Sequence, residues 1–327
     1  MSECDQPALS RQIHLGNTVV IVDGLARTGK GMIGTILSSF ARVEIERLEE
    51  DFESASTLYQ LQKITRDAAI TLLRIGADNH LINSFAGRNT NFRFADQSSV
   101  WKAPDPWRYF RRILIRDKDS VLEKIKKERP IFQNQTHAQL VNFDLYQEAY
   151  GDRLRFVEMI RHPIDVVDAW MRRSFGVRFG EDPLQLSFCV SYKGRDLPYW
   201  TVGWEDIYLS ATPLERVIRM IELQLNQNQR AYNSLTETLK KQLFVVPFED
   251  FVQRPKPYLH ALAQFVGSNV SRHTRGILRR ENCPRRLLVS DRDRKQKSLE
   301  EQVSKQDRLV LHRLIEEYEA LAIKFAR

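Results

Sequence analysis

The chain is 327 residues long, 42% hydrophobic and 28% charged, with 50 Lys and Arg against 42 Asp and Glu. That composition excludes a disordered chain, and the length can bury the core of one large α/β domain or two smaller ones. The net charge of +8 suits an anionic ligand, an anionic polymer or a membrane surface, without choosing among them.

Cys4, Cys189 and Cys283 are too few and too scattered for a disulfide framework or a zinc site, so a reducing compartment is the default. The N-terminal MSECDQPALSRQ has no apolar signal region, and no apolar run is long enough to cross a bilayer; a cytoplasmic protein is expected. Residues 1–16 read as a flexible arm.

In chain order, residues 19–22 (VVIV) predict a strand buried on both faces, followed by a loop holding Gly24, Gly29 and Gly31. Ile33, Ile36, Leu37 and Phe40 then recur at helical spacing, and residues 43–46 (VEIE) predict a second parallel strand. Leu58, Leu61, Ile64 and Ala68 begin a helical pattern running to about Ile75. Periodicity fails over residues 79–112, where Phe92, Phe94, Trp101, Trp107, Tyr109 and Phe110 crowd together; this segment reads as an acceptor-binding wall or as a satellite core under a long loop. A helix over 117–128 stops at Pro130, and Ile131-Phe132 opens a third strand leading to Gln135-Thr136-His137. Residues 154–160 (LRFVEMI) predict a fourth strand that ends at Arg161, with a helix beginning after His162-Pro163 and carrying Asp165 in its first turn. Residues 174–212 are again irregular and aromatic. A long helix starts at Pro213, residues 243–246 (LFVV) predict a fifth strand, and a helix opened by Pro255 ends near Gly267. Arg and Lys crowd residues 272–297, and residues 300–327 form an amphipathic helix with Leu311, Leu314, Ile315 and Tyr318 on one face.

Strands alternating with helical crossovers predict a single α/β domain over 1–327: a mostly parallel sheet of about five strands flanked by helices, with inserted loops at 79–112 and 174–212. The first strand, loop and helix make a phosphate cradle, because successive backbone N–H groups and the positive helix end converge on one anion. Gly24, Gly29 and Lys30 fit the phosphate-loop pattern GxxxxGK[ST], but Gly31 stands where Ser or Thr would hold magnesium. The loop can also be read in a second register, Arg27-Thr28-Gly29.

That second register resembles the (K/R)-(S/T)-G loop of sulfotransferases, which binds the 5′-phosphosulfate of 3′-phosphoadenosine 5′-phosphosulfate. Residues 161–167 (RHPIDVV) resemble the family's 3′-phosphate motif, and residues 246–251 (VPFEDF), with Pro255 and Phe265-Val266-Gly267, look like its late V-x-Y-E-D-L stretch. Thr136-His137 is similar to the pair that supplies the catalytic base in many cytosolic members, others of which use a glutamate. The resemblance spans about residues 17–267 and implies a fold akin to the nucleotide kinases. It also implies transfer of a sulfuryl group from that donor to a hydroxyl or amine of a carbohydrate-like or small acceptor. His137 would then be the base, with Arg27 and Lys30 neutralising charge on the leaving phosphate. Gly24, Arg27, Thr28, Gly29, Lys30, Gly31, Met32 and Arg161 would hold the nucleotide, no metal being needed. Arg294-Lys295-Gln296 partly matches the Arg-Lys-Gly triplet that often closes the 3′-phosphate site. Ala169 departs from the family's serine, a loss that Arg172, Arg173 or a tail residue could offset. No nucleic-acid partner is expected. A kinase or NTPase acting through Gly24, Gly29 and Lys30, and a non-catalytic descendant used as a binding module, are the alternatives.

Overall fold

In the computed structural model, which describes residues 7–96, 98–115 and 118–327, the strands form two separate sheets. Cys4 and Asp117 lie outside the described residues. The strands are β1 (Thr18–Asp23), β2 (Ile131–Gln135), β3 (Leu154–Ile160), β4 (Cys189–Tyr192), β5 (Arg195–Pro198) and β6 (Leu243–Pro247). The main sheet is wholly parallel in the order β2-β1-β3-β6, and β4 pairs with β5 as a small antiparallel hairpin.

β1 lies between two neighbours and is covered on both faces, which is why it is apolar at every position from Val19 to Val22. Val20 and Val22 face the helices Lys30–Leu37 and Pro255–Phe265, whereas Val19 and Ile21 face Arg66–Phe85 and Phe143–Tyr150. A third apolar cluster joins Ile164, Val167 and Trp170 to the long helix Pro213–Ser234 and to Leu311 and Leu314 of the C-terminal helix Lys305–Phe325. Thr212 caps the long helix through a reciprocal box with Glu215, and Pro213 occupies its first position.

Four departures from the sequence reading have physical causes. The strand expected at 43–46 is reduced to a single bridge between Val43 and Ile131, so the main sheet has four strands among the described residues. Glu44 leaves the sheet edge to accept from Arg112 at 2.6 and 2.9 Å, and from Arg108 and Ser84. Burial opposes ionisation of Glu44, yet the two guanidiniums overcome it and hold the carboxyl at about 2. The helical pattern assigned from Leu58 to about Ile75 splits into Glu50–Gln60 and Arg66–Phe85. Gln62 takes a positive φ of 56°, and Thr65 caps the second helix, which runs ten residues beyond Ile75. Pro106–Ile113 is helical inside the first segment read as irregular, and the β4–β5 hairpin lies inside the second. The helix expected from 117 is described from Lys118 to Glu128.

Residues 9–15 of the expected arm lie along Arg66–Phe85: the Leu15 N–H donates to Asp78 at 2.8 Å, and Arg11 pairs with the same carboxylate. No helix among the described residues is long and apolar enough to cross a membrane.

Candidate active site

The carboxyl ends of parallel strands converge on one edge of the sheet, and the candidate residues collect there. After β1 the chain turns sharply through Gly24 at φ 139° and Gly29 at φ 101°. A Cβ at Gly24 would meet the Met159 carbonyl at 2.4 Å, and one at Gly29 would strike the Phe248 ring at 2.5 Å. Both positions therefore need glycine for conformation and for space. Arg27 also has a positive φ, 69°, which places a cationic side chain on the exposed crest of the loop. The first bond of the following helix runs from Ile33 N–H to Gly29 C=O, so the positive end of the helix opens at the loop, at Lys30.

Beneath the crest the loop is braced from inside. Lys30 Nζ donates to the carbonyls of Gly24 and Leu25 at 2.9 and 2.8 Å, and Thr28 Oγ1 donates to Leu25 C=O at 2.8 Å. Burial brings the Lys30 ammonium down to about 8, against the pull of Asp23, Glu53 and Glu158. Asp23 and Glu158 sit opposite each other in the β1–β3 register. Burial raises both, and the Asp23 carboxylate opposite raises Glu158 further. Asp23 accepts from Thr136 Oγ1 at 2.8 Å and from the N–H groups of Gln139 and Leu140, tying the end of β2 to the loop.

That tie orients His137. With Thr136 anchored inward, His137 turns outward to the helix Glu50–Gln60, and its Nδ1 meets Glu53 Oε1 at 2.7 Å. Nε2 has no partner among the described residues and is the ring's remaining site for a proton. His137, Glu53 and Ala138 line a cavity of about 260 Å³ together with Ala26 of the loop. Trp170, Phe179, Tyr199 and Trp200 supply much of its apolar wall; among the described residues Glu50 and Glu53 are its charged groups, and neither Lys nor Arg lines it. The 174–212 segment thus builds one side of this cavity, while none of the described residues of the 79–112 segment lines it.

On the other side of the loop, Arg161 leaves the end of β3. Its Nη1 donates to Arg27 C=O at 2.7 Å, its guanidinium lies 4.5 Å from the Phe248 ring centre, and its buried Nε has no hydrogen-bond partner. Arg285 covers the same ring at 5.2 Å. Burial disfavours the Arg161 charge first; Asp165 and Glu249 support it, while Arg285 and Arg27 oppose it, and the net effect is to lower it. Burial and Arg173 likewise lower Arg27. Neither Arg27 nor Arg173 has an acidic partner among the described residues, so Arg27, Arg161, Arg173 and Arg285 form a positive cluster around the loop that an anion would stabilise.

The C-terminal helices clamp this junction. Asp165 accepts from Arg292 at 3.1 Å and from Lys295 at 2.5 Å, and Glu249 accepts from Arg292 and from the Tyr318 hydroxyl. Tyr318 packs edge-on to His162 with ring centres 5.3 Å apart. Burial, and then Arg292 and Lys295, depress His162 to about 4. Arg294 points away, exposed and paired with Asp291 at 2.8 Å. Arg172 is occupied by Asp168, which leaves Arg173 as the cation beside the loop near Ala169.

The structure brings together Gly24, Arg27, Thr28, Gly29, Lys30, His137 and Arg161; Gly31 and Met32 follow in the first helical turn, and Lys295 supports Asp165. Arg173 is expected from the sequence as an offset for Ala169, whereas Glu53, Arg285, Arg292 and Tyr318 are given no site role there. Only Arg292 had a local signal, since it lies three residues before Lys295 and so shares its helix face.

No family model and no curated protein matches the chain. It is similar in structure to sulfotransferases. The sulfotransferase domain of a Synechococcus olefin synthase is 10% identical, with 82% of this chain and 80% of that one covered and a TM-score of 0.44. A sulfotransferase from Mycobacterium avium is 10% identical over 89% and 78%, with a TM-score of 0.39. One from Alicyclobacillus acidocaldarius is 14% identical over 91% and 95%, with a TM-score of 0.36.

Proposed function

We propose that this chain is a sulfotransferase that uses 3′-phosphoadenosine 5′-phosphosulfate and passes its sulfuryl group to a small hydroxyl-bearing or amine-bearing acceptor. The observation that carries the reading is the cavity in which loop residue Ala26 and the His137–Glu53 pair meet. An anion on the loop and an acceptor in the cavity would be neighbours there.

The residues fit such a nucleotide. Arg161, with its unpartnered Nε, suits the 3′-phosphate, with Arg173 or Arg285 replacing the hydroxyl lost at Ala169. Arg27, Thr28 and the positive end of the helix that opens at Lys30 suit the 5′-phosphosulfate. The bound donor supplies the sulfuryl group, and 3′-phosphoadenosine 5′-phosphate is the product that leaves. His137 Nε2 takes the proton of the acceptor hydroxyl as its oxygen bonds to sulfur, and Glu53 stabilises the imidazolium that forms. Arg27, helped by Lys30, balances the charge on the 5′-phosphate as its bond to sulfur breaks. The aromatic lining and the two carboxylates favour an uncharged or cationic small acceptor over a sulfated or carboxylated polysaccharide.

Transfer of radiolabelled sulfur from the donor to a panel of phenols, aliphatic alcohols and amines tests this. Wild type is expected to label at least one of them, and His137→Ala is not. Labelling at equal rates by both would remove His137 as the base. Hydrolysis of ATP that requires magnesium, with no sulfur transfer, would instead favour the kinase reading through Gly24, Gly29 and Lys30.

A further inference from the structure

The aromatic segment that takes no part in the His137 cavity forms a surface of its own. Phe94 stacks on Trp101 with centres 5.2 Å apart, and Trp101 packs against Phe92 and Phe110. Trp107 leans on Phe110 at 5.7 Å. Such a cluster is ordinarily a small core, yet Phe94 is 72% exposed, Trp107 70% and Leu114 78%. Trp107, Phe110 and Leu114 share one face of the helix Pro106–Ile113 and its end, and Arg111 stands beside Trp107 on that face. Contiguous apolar exposure of this kind marks a contact surface.

The surroundings are cationic. Arg111 has no acidic partner among the described residues, and the exposed Arg88 meets only Asn83, at 3.4 Å. Arg280 donates to Lys102 C=O at 2.6 Å, which sets the short helix Thr274–Arg280 against the patch with Arg275 and Arg279 exposed. The acids nearby are largely engaged: Asp96 pairs with Arg93, Glu281 with Arg280, and Asp105 lies beside Arg108.

We infer that this face docks the protein peripherally on an anionic lipid bilayer, with Phe94, Trp107 and Leu114 entering the interface and Arg88, Arg111, Arg275 and Arg279 meeting acidic headgroups. A second copy of the chain fits less well, since pairing this face with itself would oppose arginines. Single-stranded nucleic acid fits less well too, because Phe94 and Trp101 stack on each other and the aliphatic Leu114 offers no ring to a base. The Trp101 Nε1–H is already spent on Phe92 C=O at 3.1 Å, so that indole can enter an apolar layer, while the Trp107 N–H, without a partner among the described residues, suits the carbonyl zone of the interface. The inference is independent of the transfer chemistry.

Cosedimentation of the full chain with vesicles tests it. Binding to vesicles with about one-third phosphatidylserine should exceed binding to pure phosphatidylcholine by about tenfold or more and weaken with salt. Phe94→Ser with Trp107→Ser should abolish it, as should Arg111→Glu with Arg279→Glu, all four side chains being exposed enough to change without unfolding. Circular dichroism checks that fold, and tryptophan quenching by brominated lipid should fall when Trp107 is replaced. Absence of binding to anionic vesicles would overturn the inference. So would binding unaffected by the aromatic pair, a dimer that dissociates in Trp107→Ser, or capture of oligothymidine in place of lipid.

Discussion

His137 Nδ1 lies 2.7 Å from Glu53 Oε1, a contact that assigns the Nδ1 proton to the carboxylate side and leaves Nε2 as the basic nitrogen. The pair joins the end of β2 to the helix Glu50–Gln60 at the wall of the cavity. His137→Ala should lower kcat by about 10²–10⁴-fold with little change in nucleotide affinity. Glu53→Gln should cost about tenfold or more, yet less than the histidine, because the ring can then rotate or change tautomer. Steady-state kinetics with an identified acceptor, paired with calorimetry on the product nucleotide, separates the two effects.

Gly29 and Gly276 should respond in opposite ways to alanine. At Gly29 the φ of 101° and the Phe248 ring at 2.5 Å both oppose a Cβ, so Gly29→Ala should destabilise by about 1–3 kcal/mol and weaken nucleotide binding. Gly276 sits in the helix Thr274–Arg280 with nothing within 4 Å of an added Cβ. Gly276→Ala should stabilise by about 0.5–1 kcal/mol. Denaturant titration of both variants checks the contrast.

Acid should unfold this protein through two groups with identifiable partners. Glu44 falls from 4.5 to about 2 in the folded state, so its contribution is complete above about pH 4.5 and is lost as pH drops toward 2. His162 falls from 6.5 to about 4, so the unfolded chain takes up its proton first and stability declines between those values as pH falls. Arg112→Met should remove about 3–5 kcal/mol at neutral pH, because Glu44 stays buried with one guanidinium fewer. It should also flatten the loss below pH 4.5. Thermal melts from pH 8 to 3 read both limbs.

Lys30, at about 8, should couple nucleotide binding to proton uptake. A bound anion favours the ammonium, so calorimetry near pH 8 to 9 in buffers of different ionisation heat should show uptake of a fraction of a proton. Affinity should fall as pH rises above 8, by at most about tenfold per unit. Lys30→Met should remove the buffer dependence.

The sheet edge was legible in the sequence because apolar runs between glycines and prolines carry their meaning locally. Residues 19–22, 154–160 and 243–246 became neighbouring parallel strands, which places Gly24, Arg161 and Phe248 at one edge. The residues that escaped act across distance. Glu53 reaches His137 from 84 positions away, Tyr318 reaches Glu249 from 69, and Arg292 reaches Asp165 from 127. No periodicity within one element encodes such pairings. Residues 43–46 misled for a related reason: an alternating β-branched pattern resembles a strand, but the buried ion pair of Glu44 with Arg112 draws the chain off the sheet after one bridge.

We propose that Arg27, Arg161, Arg173 and Arg285 form a metal-independent site for a 3′-phosphorylated nucleotide beside His137. Calorimetry with 3′-phosphoadenosine 5′-phosphate in the presence of a chelator tests it most directly, with Arg161→Met as the paired variant. The account expects micromolar binding by wild type, at least about tenfold weaker binding by the variant, and much weaker binding of the same nucleotide without its 3′-phosphate. No heat of binding at about millimolar nucleotide with folded wild type would contradict it, as would affinity that appears only for ATP with magnesium.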